Sequence, residues 1–142
     1  MPSHPETMDD VFAAFLAAVS FPVGGAPDYG RIRELFVDDG ILVRTPDAPV
    51  DVEGFIAPRQ ATFESGALTE FSETELTSHT EVFGRVAHRM SGYGKAGVLN
   101  GEAFSTRGVI STQFVQTGDG WRMSSMAWDD EREGLEVPAR FS

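Results

Sequence analysis

The chain has 142 residues, 41% of them apolar, and its 22 acidic and 11 basic side chains give a formal net charge of −11. This length and composition predict one globular domain with one core, and the negative charge disfavours binding to nucleic acid or to anionic membranes. Because the sequence contains no cysteine, disulfides, thiolate catalysis and cysteine-ligated metals are excluded.

The beginning of the chain carries acidic residues before its first apolar segment, namely Glu6, Asp9 and Asp10. A secretory signal peptide begins with basic residues, and the sequence has no apolar run long enough to span a bilayer. We therefore expect a cytoplasmic protein.

Residues 8–19 have the periodicity of an amphipathic α-helix. The apolar side chains that recur along one face are Met8, Val11, Phe12, Phe15, Leu16 and Val19. Thr7, followed three residues later by Asp10, resembles a capping box. The dipeptide Phe21-Pro22 ends this predicted helix.

Three shorter elements are predicted next. A short helix presents Ile32, Leu35 and Phe36, and a short strand covers residues 41–44. After a polar loop, residues 54–66 form a third helix that is irregular or kinked at Pro58.

From Leu68 to about Glu131 the hydrophobic period changes to two, which indicates long strands. Helices followed by antiparallel strands predict a single α+β domain over residues 1–142. We expect residues 1–6 and 134–142 to form tails.

The first predicted hairpin turns at residues 83–85. A three-residue loop there pairs Val82 with Val86 and separates the apolar side chains from the charged ones. Charged pairs such as Glu73 with Lys95 then lie on the sheet face away from the helices.

His88 and Met90 face the helices in this register. Two interpretations of His88 remain open. It is a core side chain bonded to a hydroxyl such as that of Thr80, or a neutral imidazole in a cavity that acts as an acid, a base or a ligand donor.

The last predicted hairpin turns at residues 117–120. A four-residue loop there directs Asp129 toward the helices, opposite Gly108. A carboxylate in that position must be bonded, protonated or solvated in a cavity, so Asp129 is the leading candidate for chemistry. A structural salt bridge or a helix-capping role is the alternative, and a β-bulge in this strand would direct Asp130 inward in its place.

The same register predicts an apolar patch on the outer face of the sheet, formed by Val109, Met126 and Trp128. A monomer would expose this patch. We therefore expect a homodimer through the sheet, with Arg107 and Asp130 at the polar border of the interface.

No metal or nucleotide motif is present in the sequence. The histidines lack metal-ligand spacing, and the acidic run at residues 129–133 lacks the glycine and the spacing of an EF-hand loop. We expect neither a metal nor another cofactor.

The order of these elements resembles the nuclear-transport-factor-2-like superfamily and, within it, the SnoaL-like group. The segments that carry the resemblance are LFVDDGILVRT, VEGF, EVFGRVA and GDGWRMSSMAWDDE. The resemblance implies a cone-shaped barrel, in which about three helices pack on a strongly curved, mostly antiparallel sheet, with an apolar pocket between them. Members include steroid isomerases, polyketide cyclases, epoxide hydrolases, dehydratases and non-catalytic association domains.

Few catalytic residues of these relatives have a counterpart in this sequence. Isomerases of this kind place an aspartate base just after the first short strand, where Thr45 is nearest and Asp47 lies two residues further on. The epoxide hydrolases use an Arg-x-Asp strand motif, which Arg89-Met90-Ser91 lacks. Polyketide cyclases use an inward aspartate and a histidine, to which Asp129 and His88 are comparable in kind.

Our leading interpretation is a protein that binds a small hydrophobic ligand and acts as an isomerase, cyclase or dehydratase by proton transfer. Asp129 would be the acid or base, assisted by His88 or Asp47. The side chains expected to contact the ligand are Phe12, Phe15, Phe55, Met90 and Thr112. The alternative is a non-catalytic module for ligand binding, dimerisation or protein association.

Overall fold

The computed structural model describes residues 7–142, and its first helix is α1 (Met8–Val19). Thr7 caps this helix, because its hydroxyl accepts a hydrogen bond of 3.0 Å from the backbone N–H of Asp10. The predicted apolar stripe is buried from Val11 to Val19. The predicted helix and cap are confirmed, and the tail predicted for residues 1–6 lies outside the described residues.

Two further α-helices follow in the described part of the chain. A 3-10 turn at Tyr29–Arg31 leads into α2 (Ile32–Leu35), and α3 spans Val52–Glu64. α3 begins earlier than predicted, because the carboxylate of Asp51 accepts a hydrogen bond from the backbone N–H of Gly54 at 2.7 Å and so caps the helix. None of the helices formed by residues 7–142 is long and apolar enough to cross a membrane.

The strands in residues 7–142 form one six-stranded sheet. They are β1 (Phe36–Arg44), β2 (Val50–Asp51), β3 (Leu68–Phe83), β4 (Val86–Leu99), β5 (Glu102–Thr117) and β6 (Gly120–Asp130). Their spatial order is β2-β1-β6-β5-β4-β3, and every neighbouring pair is antiparallel except β1 with β6. The sheet is curled but not closed, and the core lies between its inner face and the helices. The predicted α+β class is confirmed.

The turn between β3 and β4 differs from the prediction. It is a two-residue turn at Gly84-Arg85, because Phe83 pairs directly with Val86. Gly84 adopts a φ of 59°, which suits glycine at the first turn position of a tight hairpin. Val82 and Val86 therefore lie on opposite faces of the sheet, and both are exposed.

A bulge in β3 between Glu75 and Thr77 shifts the register again. Beyond this bulge Glu73 pairs with Lys95 as predicted, but both side chains line a cavity under the helices. The predicted outward orientation of Glu73 and Lys95 is wrong, because it assumed an apolar inner face. The inner face instead carries polar groups, some of which bond to one another, as Lys95 does to Asp130.

A second bulge, at Ser124 in β6, decides which aspartate faces the helices. Beyond it Gly108 pairs with Asp130, and Asp129 pairs with Val109 on the outer face. The predicted inward orientation of Asp129 is wrong, and the alternative with a bulge describes the strand correctly.

The same bulge removes the predicted apolar patch. Met126 is buried in the core, and the ring of Trp128 packs against that of Phe55 with 5.9 Å between centroids. Only Val109 of the three predicted patch residues stays on the outer face. Arg107 pairs with Glu131 at 3.3 Å rather than with Asp130.

Residues 134–142, which the sequence predicts as a tail, return to the outer face of the sheet. Their 3-10 turn, Ala139–Phe141, ends in a buried phenylalanine. The ring of His79 packs edge-on against that of Phe141 at 5.4 Å, and its Nε2 lies 3.0 Å from the carbonyl oxygen of Arg140. The end of the chain is therefore packed on the domain.

Candidate active site

A cavity of about 540 Å³ lies between α1, α3 and the inner face of the sheet. We call it the main cavity. Its aromatic walls are Phe15, Tyr29, Phe55, Phe71, Phe104 and Trp128. Its charged side chains are Arg44, Arg59, Glu73, Lys95 and Asp130. An apolar cleft with a few convergent polar groups is the usual form of a small-molecule site.

The polar floor of the main cavity is built around Asp130. The Nζ atom of Lys95 lies 3.0 Å from Oδ1 of Asp130, and the hydroxyl of Tyr93 donates a hydrogen bond to the same oxygen. Burial, followed by the bond to Asp130, raises the pKa of Tyr93, so the phenol stays protonated. The carboxylate of Asp130 therefore holds two hydrogen-bond donors, the ammonium group of Lys95 and the hydroxyl of Tyr93, in place.

Gly108 allows this cluster to form across β5, which separates β4 from β6. A Cβ atom at this position would lie 2.2 Å from the hydroxyl oxygen of Tyr93. Any side chain there would displace the phenol from Asp130. The glycine opposite the inward aspartate thus leaves room for a tyrosine from the neighbouring strand.

Glu73 on β3 faces the same cavity and is half-buried. Its pKa is raised to about 7, chiefly because burial disfavours the charged form. The charge of Asp130 adds to this rise, and the charges of Lys95 and Arg59 oppose it. No side chain in residues 7–142 donates a hydrogen bond to its carboxylate. The group gains and loses a proton near neutral pH, as a general acid or base does.

Arg59 on α3 lies on the wall of the main cavity. Its guanidinium carbon is 3.7 Å from the centroid of the Phe55 ring, and its Nη1 donates a hydrogen bond of 3.0 Å to the backbone carbonyl of Phe55. Burial, followed by the charge of Arg44, lowers the pKa of Arg59 to about 10, so it stays cationic at neutral pH. It forms no ion pair within the described part of the chain.

A second polar cluster lies outside the main cavity, between α1 and the sheet. Arg89 donates two hydrogen bonds, of 2.6 and 2.9 Å, to Glu75 and a third to Asp9 of α1. Ser91 also donates to Glu75. Each charged side chain in this cluster is hydrogen-bonded to another protein side chain. The cluster therefore holds α1 on the sheet.

The charged side chains of the structure do not form a metal site. Within residues 7–142, no group of three or more histidine, aspartate or glutamate side chains is placed to hold a metal ion. In the main cavity, Asp130 is met by an ammonium group and a phenol.

None of the three predicted catalytic residues lines the main cavity. His88 faces away from the helices, with Nε2 at 2.9 Å from Glu81, and Asp129 bonds to Arg132 at 2.8 Å on the outer face. Asp47 is exposed in the turn after β1. The predicted inward positions of His88 and Asp129 are wrong for the reasons of register given above.

The five predicted ligand-contacting residues divide into three groups. Phe15 and Phe55 line the main cavity. Phe12 and Thr112 are buried in the core beside it. Met90 lies on the outer face, because it alternates with the buried side chains of Arg89 and Ser91, which makes its predicted orientation wrong.

Sequence reasoning missed Glu73, Lys95, Tyr93 and Arg59 as site residues. The pairing of Glu73 with Lys95 was visible as an opposite-charge cross-strand pair, and only the face assigned to it was wrong. For Arg59 no sequence signal existed, because its position depends on how α3 packs over the sheet.

No protein-family model and no curated protein matches the chain. Solved structures do match. A nuclear transport factor 2 (NTF2-like) superfamily protein from Salmonella enterica serovar Typhimurium has a TM-score of 0.72 and 14% identity, with 87% of each chain covered. A hexachlorocyclohexane dehydrochlorinase, LinA-type3, from Novosphingobium barchaimii has a TM-score of 0.74 and 12% identity over 88% of this chain and 84% of that one. An NTF2-like protein with a cystatin-like fold from Novosphingobium aromaticivorans has a TM-score of 0.67 and 17% identity over 93% and 82%.

Proposed function

Because this chain has the nuclear-transport-factor-2-like fold, with an aromatic cavity under its helices, we propose that it is a small-molecule enzyme acting by proton transfer. Its ligand is hydrophobic and carries a carbonyl group. Glu73 is the general base and acid, which replaces the predicted role of Asp129.

The observation that carries this proposal is the environment of Glu73. It is a carboxyl group in a largely aromatic cavity, with a pKa raised to about 7. A base with a pKa near the working pH is both available in its ionised form and strong enough to abstract a proton. A solvated surface glutamate is a much weaker base.

The proposed first step breaks a carbon–hydrogen bond beside the ligand carbonyl. The proton moves to the carboxylate of Glu73, the electron pair of the broken bond forms a carbon–carbon double bond, and the π pair of the carbonyl group moves to its oxygen. An ammonium group has three donors, so Lys95 can bind Asp130 and still donate to that oxygen. Return of the proton to another carbon completes an isomerisation, and loss of a leaving group from the neighbouring carbon completes an elimination.

The fold neighbours are consistent with a reaction of this kind. One of them is named as a dehydrochlorinase, which places an elimination on the same fold. Fold likeness alone does not assign an activity, and the assignment to this chain rests on Glu73.

Exchange of the proton beside a carbonyl group tests the step that these reactions share. We expect wild-type protein to accelerate deuterium incorporation into 2-tetralone in D₂O, measured by proton NMR. Glu73→Gln removes the base and should lower the catalysed rate by a factor of about 10² to 10⁴.

Glu81→Gln is the matched control, because Glu81 lies on the same strand but is exposed on the outer face. It should exchange at the wild-type rate. A Glu73→Gln variant that retained full exchange would remove Glu73 from the mechanism. Ligand binding without exchange would favour the alternative, a non-catalytic binding module.

The predicted homodimer through the sheet and the predicted cytoplasmic location stay predictions. The apolar patch no longer supports the homodimer, since Met126 and Trp128 face inward.

A further inference from the structure

The charged lining of the main cavity has the opposite sign to the protein as a whole. Three cationic side chains, Arg44, Arg59 and Lys95, face it, with two carboxyl groups. The complete chain has a formal net charge of −11. In an acidic protein, a cationic cavity concentrates anions at one place.

Two of the three cations are already neutralised by the protein. Lys95 lies 3.0 Å from Asp130, and Arg44 lies 3.9 Å from Asp47 at the exposed end of β1. Arg59 has no ion pair within residues 7–142. Arg59 is therefore the cation of the cavity that has no carboxylate at ion-pair distance in the described residues, and the charge of Glu73 acts on it only from further away.

The position of Arg59 suits an anionic ligand group. A partly buried guanidinium without a carboxylate is costly, and a bound anion would offset that cost. Stacking on Phe55 at 3.7 Å fixes the plane of the guanidinium, while Nη1 is engaged by the Phe55 carbonyl. The remaining N–H donors can form a paired contact with a planar or tetrahedral oxyanion.

The rest of the lining limits the ligand to one such group. A second anionic group deeper in the cavity would approach Glu73 and Asp130, and like charges at short range repel strongly in a poorly solvated site. The remaining lining is largely aromatic and suits an apolar ligand body.

We propose that the ligand of the main cavity is a monoanion, with an aromatic or alicyclic body packed against the aromatic walls of the cavity and its anionic group bound by Arg59. This inference rests on the proposed function only in placing a ligand in the main cavity. It holds whether or not Glu73 transfers a proton.

Two fluorescent probes with the same aromatic body separate charge recognition from apolar binding. 1-Anilinonaphthalene-8-sulfonate carries one sulfonate, and N-phenyl-1-naphthylamine lacks it. We expect wild-type protein to bind the sulfonate probe at least about tenfold more tightly, as a charge-assisted contact of this type gives. Arg59→Gln should abolish this preference and leave binding of the neutral probe unchanged, which also shows that the cavity is intact.

Arg85→Gln is the matched control, because it removes the same charge from an exposed hairpin turn outside the cavity. It should keep the tenfold preference. Arg59→Lys retains the positive charge but lacks the planar set of guanidinium N–H donors, so it should keep part of the preference for the sulfonate probe. In wild-type protein, the NMR resonance of the Arg59 Nε–H should shift when the sulfonate probe is added and not when the neutral probe is added, a result that does not depend on any variant folding.

Four results would overturn the inference. The first two are binding of neither probe by the wild-type protein and equal affinity for the two probes. The other two are an unchanged sulfonate preference in Arg59→Gln and an Arg59 Nε–H resonance that does not shift when the sulfonate probe is added. A sulfonate preference without proton exchange on 2-tetralone would reject the catalytic proposal and keep this one. Proton exchange that depends on Glu73, without any preference for the sulfonate probe, would keep the catalytic proposal and reject this inference.

Discussion

At the scale of single residues, position on a strand face decides the chemistry of a carboxyl group. Glu73 and Glu81 both belong to β3. Glu81 is 86% exposed and bonds to His88 on the outer face, whereas Glu73 lies in the main cavity and has a pKa of about 7. The raised pKa of Glu73 arises chiefly from burial, which disfavours the charged form of the carboxyl group.

The raised pKa of Glu73 makes the free energy of unfolding depend on pH. The group has a pKa of 4.5 in the unfolded chain and about 7 in the folded one, so the folded state holds the proton more tightly. Between these values the free energy of unfolding should fall as pH rises, by up to about 3 kcal/mol. We expect Glu73→Gln, which cannot ionise, to match wild type at pH 4.5 and to be more stable at pH 8, as measured by urea denaturation.

Comparison with Glu81→Gln controls for the general effect of removing one acidic group from a highly negative protein. That variant should differ from wild type by no more than a few tenths of a kcal/mol at either pH. A stability gain of Glu73→Gln that was the same at both pH values would contradict desolvation as the cause of its pKa shift.

At the scale of secondary structure elements, one buried arginine connects α1 to the sheet. The side chain of Arg89 is 7% exposed, its partner Glu75 on β3 is 20% exposed, and Asp9 in the first turn of α1 is 81% exposed. These fractions predict that the two ion pairs differ in strength, because solvent screens the exposed one. The cluster orients α1, which supplies Phe15 to the main cavity.

Removing the arginine should therefore cost more than removing the exposed aspartate. We expect Arg89→Met to lower the free energy of unfolding by about 3–5 kcal/mol, because it leaves the carboxylate of Glu75 without its cation. Asp9→Ala should cost less than about 1 kcal/mol. The double variant Arg89→Met with Glu75→Gln should recover part of the loss in urea denaturation, and a loss of similar size in both single variants would refute this ranking.

At the scale of the whole molecule, the end of the chain covers part of the outer sheet face. Gly92 lies between the inward-facing Ser91 and Tyr93 and so faces outward. A Cβ atom there would lie 1.7 Å from the carbonyl oxygen of Phe141. The close approach of the two backbones requires glycine at this position.

Gly92→Ala should displace the C-terminal segment and leave the sheet in place. We expect amide hydrogen exchange in residues 137–142, followed by mass spectrometry, to become faster in this variant. Gly94→Ala is the control, because its Cβ atom would have only ordinary contacts, at 3.8 Å. Unchanged exchange in Gly92→Ala would show that the segment does not pack where the structure places it.

Much of the fold could be predicted from local patterns. The 3.6-residue period defined α1, and Thr7 marked its start. The period of two defined the strands, and the pairing of Glu73 with Lys95 was recognised from their opposite charges. These features depend on neighbours in sequence or on one hairpin, so the sequence contains the information.

The composition of the candidate site depends on which face of the sheet each side chain occupies, and not only on which residues form strands. The predictions of these faces were wrong for the proposed catalytic residues His88 and Asp129. The two-residue turn at Gly84-Arg85 reversed the faces of β4, and the bulges after Glu75 and at Ser124 reversed the side chains beyond them. A bulge is stable where sheet curvature and distant packing favour it, and a local pattern does not contain those contacts.

The sequence by itself thus determined α1, the pairing of β3 with β4 and of β5 with β6, and the acidic character of the protein. Only the tertiary structure decided that Glu73, Lys95 and Asp130 meet in one cavity under Arg59, since these residues come from four elements. The physical reason is that burial and charge pairing in the cavity depend on side chains far apart in the chain. Lys95 and Tyr93 are stable inside because they bond to Asp130. Glu73 has no such bond, and its pKa is raised by burial. A rule that places apolar residues inside anticipates neither outcome.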